Sequence, residues 1–216
     1  MVIHSCESFY YFLMIDHANK VIFIHIPRCA GTTIERMFLG TDFWYINPVM
    51  KHATASIYRK FYATFWDDYY KFAIVRDPYD RFRSMWKHSV EYKLKLNKNG
   101  EITLSDYIEY FERRVVLEHQ TNLEQNGLRV EYIDGQEYKK CCVYGNYLNE
   151  HLDDIFRFED LSYCFSILAD RFPKINHSIV KAEASDKIAP ALSQQAIQDI
   201  NRICHDDFLR FGYPML

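Results

Sequence analysis

Apolar and polar positions along the chain follow two rhythms that take turns. Val21-Ile22-Phe23-Ile24-His25-Ile26 is a near-continuous apolar run rich in β-branched residues, the pattern of a parallel strand buried on both faces. Pro27 stops it and Gly31 permits a tight turn. Thr32 or Thr33 then caps a helix to about Leu39, with Gly40 just beyond. Phe72-Ala73-Ile74-Val75 reads as a second short buried strand. Asp77 suits the cap of the next helix and Pro78 its first turn. Phe82, Met85, Trp86 and Val90 recur at helical spacing and form its buried face.

Ile155-Phe156-Arg157-Phe158 reads as a third strand. Asp160 caps a helix through Leu161, Phe165, Leu168 and Ala169 that ends near Pro173. A last helix starts after Ser193 and carries Ile197, Ile200, Cys204 and Phe208. Strands alternating with helices predict an α/β sandwich with a mostly parallel sheet. Two stretches break the rhythm. Residues 93–140 hold a helix near Leu104–Leu117 and a polar segment with Gly127 and Gly135; residues 174–192 hold Asn176, His177, Ser178 and Lys181 without clear periodicity. Irregular stretches of that length in a compact domain are often lids or binding loops.

Composition narrows the function classes. The 216 residues fit a single domain over 1–216. A net charge of −3, without a basic tail or stripe, argues against a nucleic-acid binder acting through bulk charge. Any anion site must be local and built by geometry. The aromatic excess, 17%, reads as core packing. The six cysteines form no C-x-x-C pair and no zinc spacing, and Cys141 and Cys142 read as reduced residues. Asp16 and His17 interrupt the apolar stretch Phe9–Ile15, which predicts neither a signal peptide nor a membrane span. The expected setting is cytoplasmic.

Two strand-to-helix turns carry the chemistry. In Ile26-Pro27-Arg28-Cys29-Ala30-Gly31-Thr32-Thr33, backbone N–H groups and the positive end of a helix dipole converge, which suits an anion. Arg28 adds a permanent charge and a planar donor fork. G-x-x-x-x-G-K-[ST] is absent, so this is not a Walker A loop. The alternative is an ordinary turn with a capping Thr. In Val75-Arg76-Asp77-Pro78-Tyr79-Asp80-Arg81-Phe82-Arg83-Ser84, Arg76 stands at the strand end, where ligands of open parallel sheets collect. Its guanidinium can grip a phosphate bidentately, or else pair with Asp77 or Asp80. Ser84 follows about two helical turns later.

These two segments resemble the 5′-phosphosulfate loop and the 3′-phosphate motif of the sulfotransferase family 2 group, which includes carbohydrate and uronyl 2-O-sulfotransferases. Asp154-Ile155-Phe156-Arg157-Phe158-Glu159-Asp160-Leu161 resembles the group's later strand, and Asp207-Phe208-Leu209-Arg210-Phe211-Gly212-Tyr213 its closing helix. The resemblance implies a P-loop-NTPase-like three-layer sandwich and 3′-phosphoadenosine 5′-phosphosulfate (PAPS) as co-substrate, with no metal. It implies sulfonyl transfer to an acceptor hydroxyl, that of a carbohydrate first. Arg28, Ala30, Gly31, Thr32 and Thr33 would hold the phosphosulfate, Arg76 and Ser84 the 3′-phosphate. Ser178 and Lys181 would lie on a segment closing over the nucleotide. The group usually has Lys where this chain has Arg28, and its Golgi members carry a membrane anchor, which implies the Golgi lumen if the chain is a fragment of an anchored protein.

An acceptor hydroxyl needs a base, and His52 is the candidate, with Arg28 stabilising the leaving phosphate. Glu35, His25 and His88 are the fallbacks for the base. Tyr58, Arg59, Lys60, Tyr92, Lys93 and Lys95 would line an acceptor groove or form a solvated face. The competing functions are a P-loop-like kinase and an inactive nucleotide-binding relative.

Overall fold

The computed structural model describes residues 14–47, 50–91, 143–179 and 191–216. In chain order the elements are β1 (Ile15–Asp16), β2 (Val21–Ile24), α1 (Gly31–Leu39), a 3-10 turn (Phe43–Tyr45), α2 (Ala55–Phe61), α3 (Ala63–Trp66), β3 (Tyr70–Val75), α4 (Pro78–Glu91), α5 (Tyr144–Tyr147), β4 (Asp154–Arg157), a 3-10 turn (Phe158–Asp160), α6 (Leu161–Arg171), a 3-10 turn (His177–Ile179), α7 (Gln194–Ile203) and α8 (His205–Phe211). The described residues fall into two compact units. One holds 14–75 with 147–179, the other 76–91, 143–146 and 191–216.

The first unit carries the sheet, in the order β1-β2-β3-β4. β2 and β3 pair in parallel with Phe23 opposite Phe72; β3 and β4 pair in parallel with Phe72 opposite Asp154. β1 adds a short antiparallel edge, Ile15 opposite Ile22. This is the expected α/β architecture with a mostly parallel sheet. The sequence pattern missed β1 because two residues carry no periodicity.

β3 is buried along its whole length. At its middle, Phe72 meets Phe23, Tyr70 and Phe156 at ring-centroid distances of 4.9, 5.6 and 6.0 Å. Burying one such ring contributes about 2–3 kcal/mol. Lys71 is buried in the same strand because its ammonium is fully occupied. It donates to the carbonyls of Trp66 (3.0 Å) and Tyr69 (2.6 Å) and lies 3.1 Å from the Asp153 carboxylate. A buried charge persists only with such partners.

Several expected boundaries move. β2 stops at Ile24, which leaves His25 and Ile26 beyond the ladder. β4 starts one residue before the expected strand. Asp160 does cap α6, accepting from the Tyr163 N–H.

In the second unit, Asp77 caps the entry to α4 by accepting from the Asp80 N–H at 3.0 Å. The expected last helix is two helices, α7 and α8, broken at Cys204. Ser193 caps α7, accepting from the Ala196 N–H at 3.1 Å. Tyr79 of α4 packs on Phe208 of α8 at 5.0 Å, and its hydroxyl donates to Asn201 and accepts from the Leu216 N–H. Among the described residues, no helix is long and apolar enough to cross a membrane.

Candidate functional site

The loop between β2 and α1 is set by backbone conformation. Arg28 and Ala30 both have left-handed φ, 67° and 60°. Side chains rarely adopt that region, and each such residue costs about 1–2 kcal/mol. Gly31, the residue expected to make the turn, is not the one with positive φ; it opens the helix. Its lack of a side chain serves a different end, because a Cβ there would overlap the imidazole of His25. Ala30 is the N-cap, with no side-chain cap, in place of the expected Thr32 or Thr33. Thr32 and Thr33 sit in the first turn, both half-buried, as is Arg28.

Beside that loop lies a buried charge cluster. Glu35, on α1, has no exposed surface. It accepts from His25 Nδ1, from Lys51 Nζ at 2.9 Å and from the Phe43 N–H at 3.0 Å. Lys51 also donates to Asp42, and its ammonium lies 3.4 Å from the Thr32 hydroxyl. Burial pushes the His25 imidazole below its usual pKa, against the Glu35 hydrogen bond. Burial raises the Asp42 carboxyl, but hydrogen bonds from Lys51 and the Trp44 N–H outweigh it and hold the group low. Among the fallback bases, Glu35 is therefore committed to interior partners, and so is the Nδ1 of His25.

His52 follows Lys51 and is half-buried. Its ring stands edge-on to His25 at 4.5 Å. Its Nδ1 lies 3.1 Å from the His25 carbonyl oxygen. A carbonyl only accepts, so Nδ1 carries the proton and the lone pair of neutral His52 is on Nε2. The first unit thus brings together Arg28, Ala30, Gly31, Thr32, Thr33 and the His25–His52 pair.

Ser178 is also in this unit, on the exposed 3-10 turn, where its hydroxyl donates to Asn176 at 2.6 Å. Asn176 in turn donates its N–H to Met37 of α1. Lys181, Tyr92, Lys93, Lys95, Cys141, Cys142 and the expected helix near 104–117 lie outside the described residues. Tyr58 does not line a groove: it is buried, and its hydroxyl accepts from the Met14 N–H at 3.0 Å. Arg59 and Lys60 are exposed on α2, Arg59 paired with Glu150 at 2.7 Å.

In the second unit, Arg76 is half-buried and gripped at its backbone. The Tyr144 hydroxyl accepts from the Arg76 N–H at 3.0 Å and donates to its carbonyl at 2.5 Å. Tyr144 is buried, its own N–H donates to Asp207 at 2.7 Å, and the Arg81 guanidinium lies over its ring at 4.8 Å. Burial pushes the Asp207 carboxyl up to about 6, although the Tyr144 N–H and Arg81 pull it down. Ser84 and His88 are half-buried on α4.

Sequence reasoning missed Tyr144, Asp42 and Arg81 as site-building residues. Tyr144 lies just beyond the irregular stretch 93–140, where no periodicity pointed to it. The signal available for Asp42 and Lys51 was opposite charge on either side of an otherwise uncharged segment.

A parallel sheet whose strand β2 runs through a strained loop into α1, with helices flanking it, places the protein in the P-loop-like class of α/β folds. A sequence model of the sulfotransferase family matches residues 11–214, and the chain belongs to that family. Its members carry out sulfonyl transfer to an acceptor hydroxyl. No curated protein and no solved structure matches the chain.

Proposed function

We propose that this chain transfers the sulfonyl group of PAPS to a hydroxyl, with a carbohydrate as the acceptor class. In this reading Arg28 and the first turn of α1, from Ala30 to Thr33, receive the phosphosulfate. Arg76 and Ser84 receive the 3′-phosphate, and Ser178 with Lys181 belongs to a segment that covers the nucleotide. His52 Nε2 takes the proton of the acceptor hydroxyl while its oxygen attacks sulfur. The bond between sulfur and the phosphate oxygen breaks, and 3′-phosphoadenosine 5′-phosphate leaves as an anion. In-line transfer of this kind asks the protein for positioning and for charge at the leaving oxygen. Arg28 supplies that charge as a fork rather than as the usual lysine point charge.

The observation that carries the reading is the join of a left-handed pair, Arg28 and Ala30, to a helix whose N-cap residue, Ala30, makes no side-chain cap hydrogen bond. Strain of this kind gathers at functional loops, and such helix starts suit anions. The tautomer of His52 supports its role as base.

Calorimetry with 3′-phosphoadenosine 5′-phosphate against adenosine 5′-phosphate tests it. The expected outcome is a loss of roughly 30-fold or more without the 3′-phosphate, as for a lost charge-assisted hydrogen-bond pair, and a similar loss on Arg76→Ala. Equal binding of the two nucleotides would remove Arg76 and Ser84 from the site.

A further inference from the structure

We propose that His25, Glu35, Lys51 and Asp42 are positioning residues for His52, fixing which ring nitrogen carries its proton and favouring uptake of a second. The inference rests on the reading of His52 as the base. The first half follows from the carbonyl of His25, which can hold only a protonated Nδ1. That carbonyl is itself held in place. The His25 ring is wedged against Gly31 and tied through Nδ1 to Glu35, so the backbone that orients His52 cannot turn without breaking the cluster.

The second half follows from the charges. Among the described residues, the charged and titratable groups of the cluster are His25 from the β2–α1 connection, Glu35 from α1, Asp42 before the 3-10 turn and Lys51 just before His52, with the Arg28 cation on the same β2–α1 connection. Burial lowers the His25 pKa and so favours its neutral form, against the Glu35 hydrogen bond. Two carboxylates against one ammonium then leave one negative charge in a cluster whose Glu35 and Lys51 are buried and whose Asp42 is partly exposed. A nearby negative charge favours an imidazolium, and does so more strongly where solvent is excluded. His52 would therefore accept a proton from an acceptor hydroxyl more readily than a histidine in water. Lys51 adds a link between base and loop, because the same ammonium reaches Thr32.

Histidine proton–nitrogen correlation spectra of the full chain read both properties without any acceptor, with His52 assigned by the loss of its signals in His52→Gln. The expected result is a protonated Nδ1 and a bare Nε2 above the titration midpoint. In Glu35→Gln the midpoint falls by about one pH unit, and in Asp42→Asn it falls by less. Should Glu35→Gln not fold, Asp42→Asn, whose side chain is 19% exposed, carries the same comparison. A merely structural role for the cluster would lower the melting temperature and leave the midpoint in place.

A proton on Nε2, or one midpoint shared by the wild type and every folded variant, overturns the proposal. Turnover of His52→Ala separates the two claims. Full activity there removes His52 as base whatever the spectra show. Lost activity with an unmoved midpoint leaves the base in place and removes the positioning cluster.

Discussion

The turn into α1 and the turn into α4 both follow a buried parallel strand and both bear an arginine, yet they are held in opposite ways. At the first, Ala30 stands at the cap with left-handed φ and makes no side-chain cap hydrogen bond. Support comes from behind, through charges: the Glu35, Lys51 and Asp42 cluster and the His25 ring against Gly31. At the second, the Asp77 carboxylate caps the helix, and a neutral hydroxyl, that of Tyr144, grips both backbone groups of Arg76. A loop whose N-cap residue lends no side-chain cap needs an outside scaffold. A capped helix with a clamped neighbour needs one well-placed phenol.

The largest effect expected from this contrast is at Gly31. Gly31→Ala drives a methyl into His25 and should cost about 3 kcal/mol or more, as overpacking of a rigid site does. Urea denaturation measures it. A nearly neutral result would show that the His25 ring moves aside freely.

The two regions should also respond to pH with opposite signs. Asp207 has a folded pKa raised from 3.8 to about 6. Its contribution is fully present below 3.8 and is lost as pH rises through about 6, amounting to about 3 kcal/mol. His25 is depressed from 6.5, so its contribution is present above 6.5 and is lost as pH falls through the lower, folded value. Asp207→Asn should flatten the stability profile between about pH 4 and 6 and leave the histidine limb untouched. Thermal melts across pH read this out, and an unchanged slope in the variant would refute it.

Tyr144→Phe removes a hydroxyl with two backbone partners and should cost about 2 kcal/mol. It should also weaken 3′-phosphoadenosine 5′-phosphate by roughly tenfold while sparing adenosine 5′-phosphate. Equal weakening of both nucleotides would mean that the tyrosine supports the unit in general rather than Arg76. The smallest effect belongs to Asp77→Ala, a lost cap worth about 1 kcal/mol in a denaturation curve.

What could be read from the chain was whatever repeats. β2, β3 and β4 announced themselves as short apolar runs, and α4, α6 and α7 by spacing and by Asp77, Asp160 and Ser193 at their starts. Motif order placed Arg28 and Arg76 at strand ends. Single-residue geometry was hidden. Gly31 was marked as special, but for a turn, because pattern alone does not reveal that His25 packs against it. Thr32 and Thr33 had the chemistry of a cap, but the left-handed Ala30 took the position. Glu35 and His25 read as separate candidates for a base and are instead partners in one cluster. That pairing spans ten residues and a change of direction, beyond the reach of periodicity. Tyr144 and Asp207, 63 residues apart, meet only through folding.

The left-handed backbone of Arg28 and Ala30 has a consequence for association. If the loop takes the phosphosulfate as proposed, a backbone already bent in this way loses little chain entropy on binding. On the proposed binding mode, the amide hydrogens from 30 to 33 that donate to the phosphosulfate should exchange more slowly with nucleotide, while the backbone of Arg28 and Ala30 keeps its left-handed shape. Capture would be governed by diffusion and charge, as for a rigid socket.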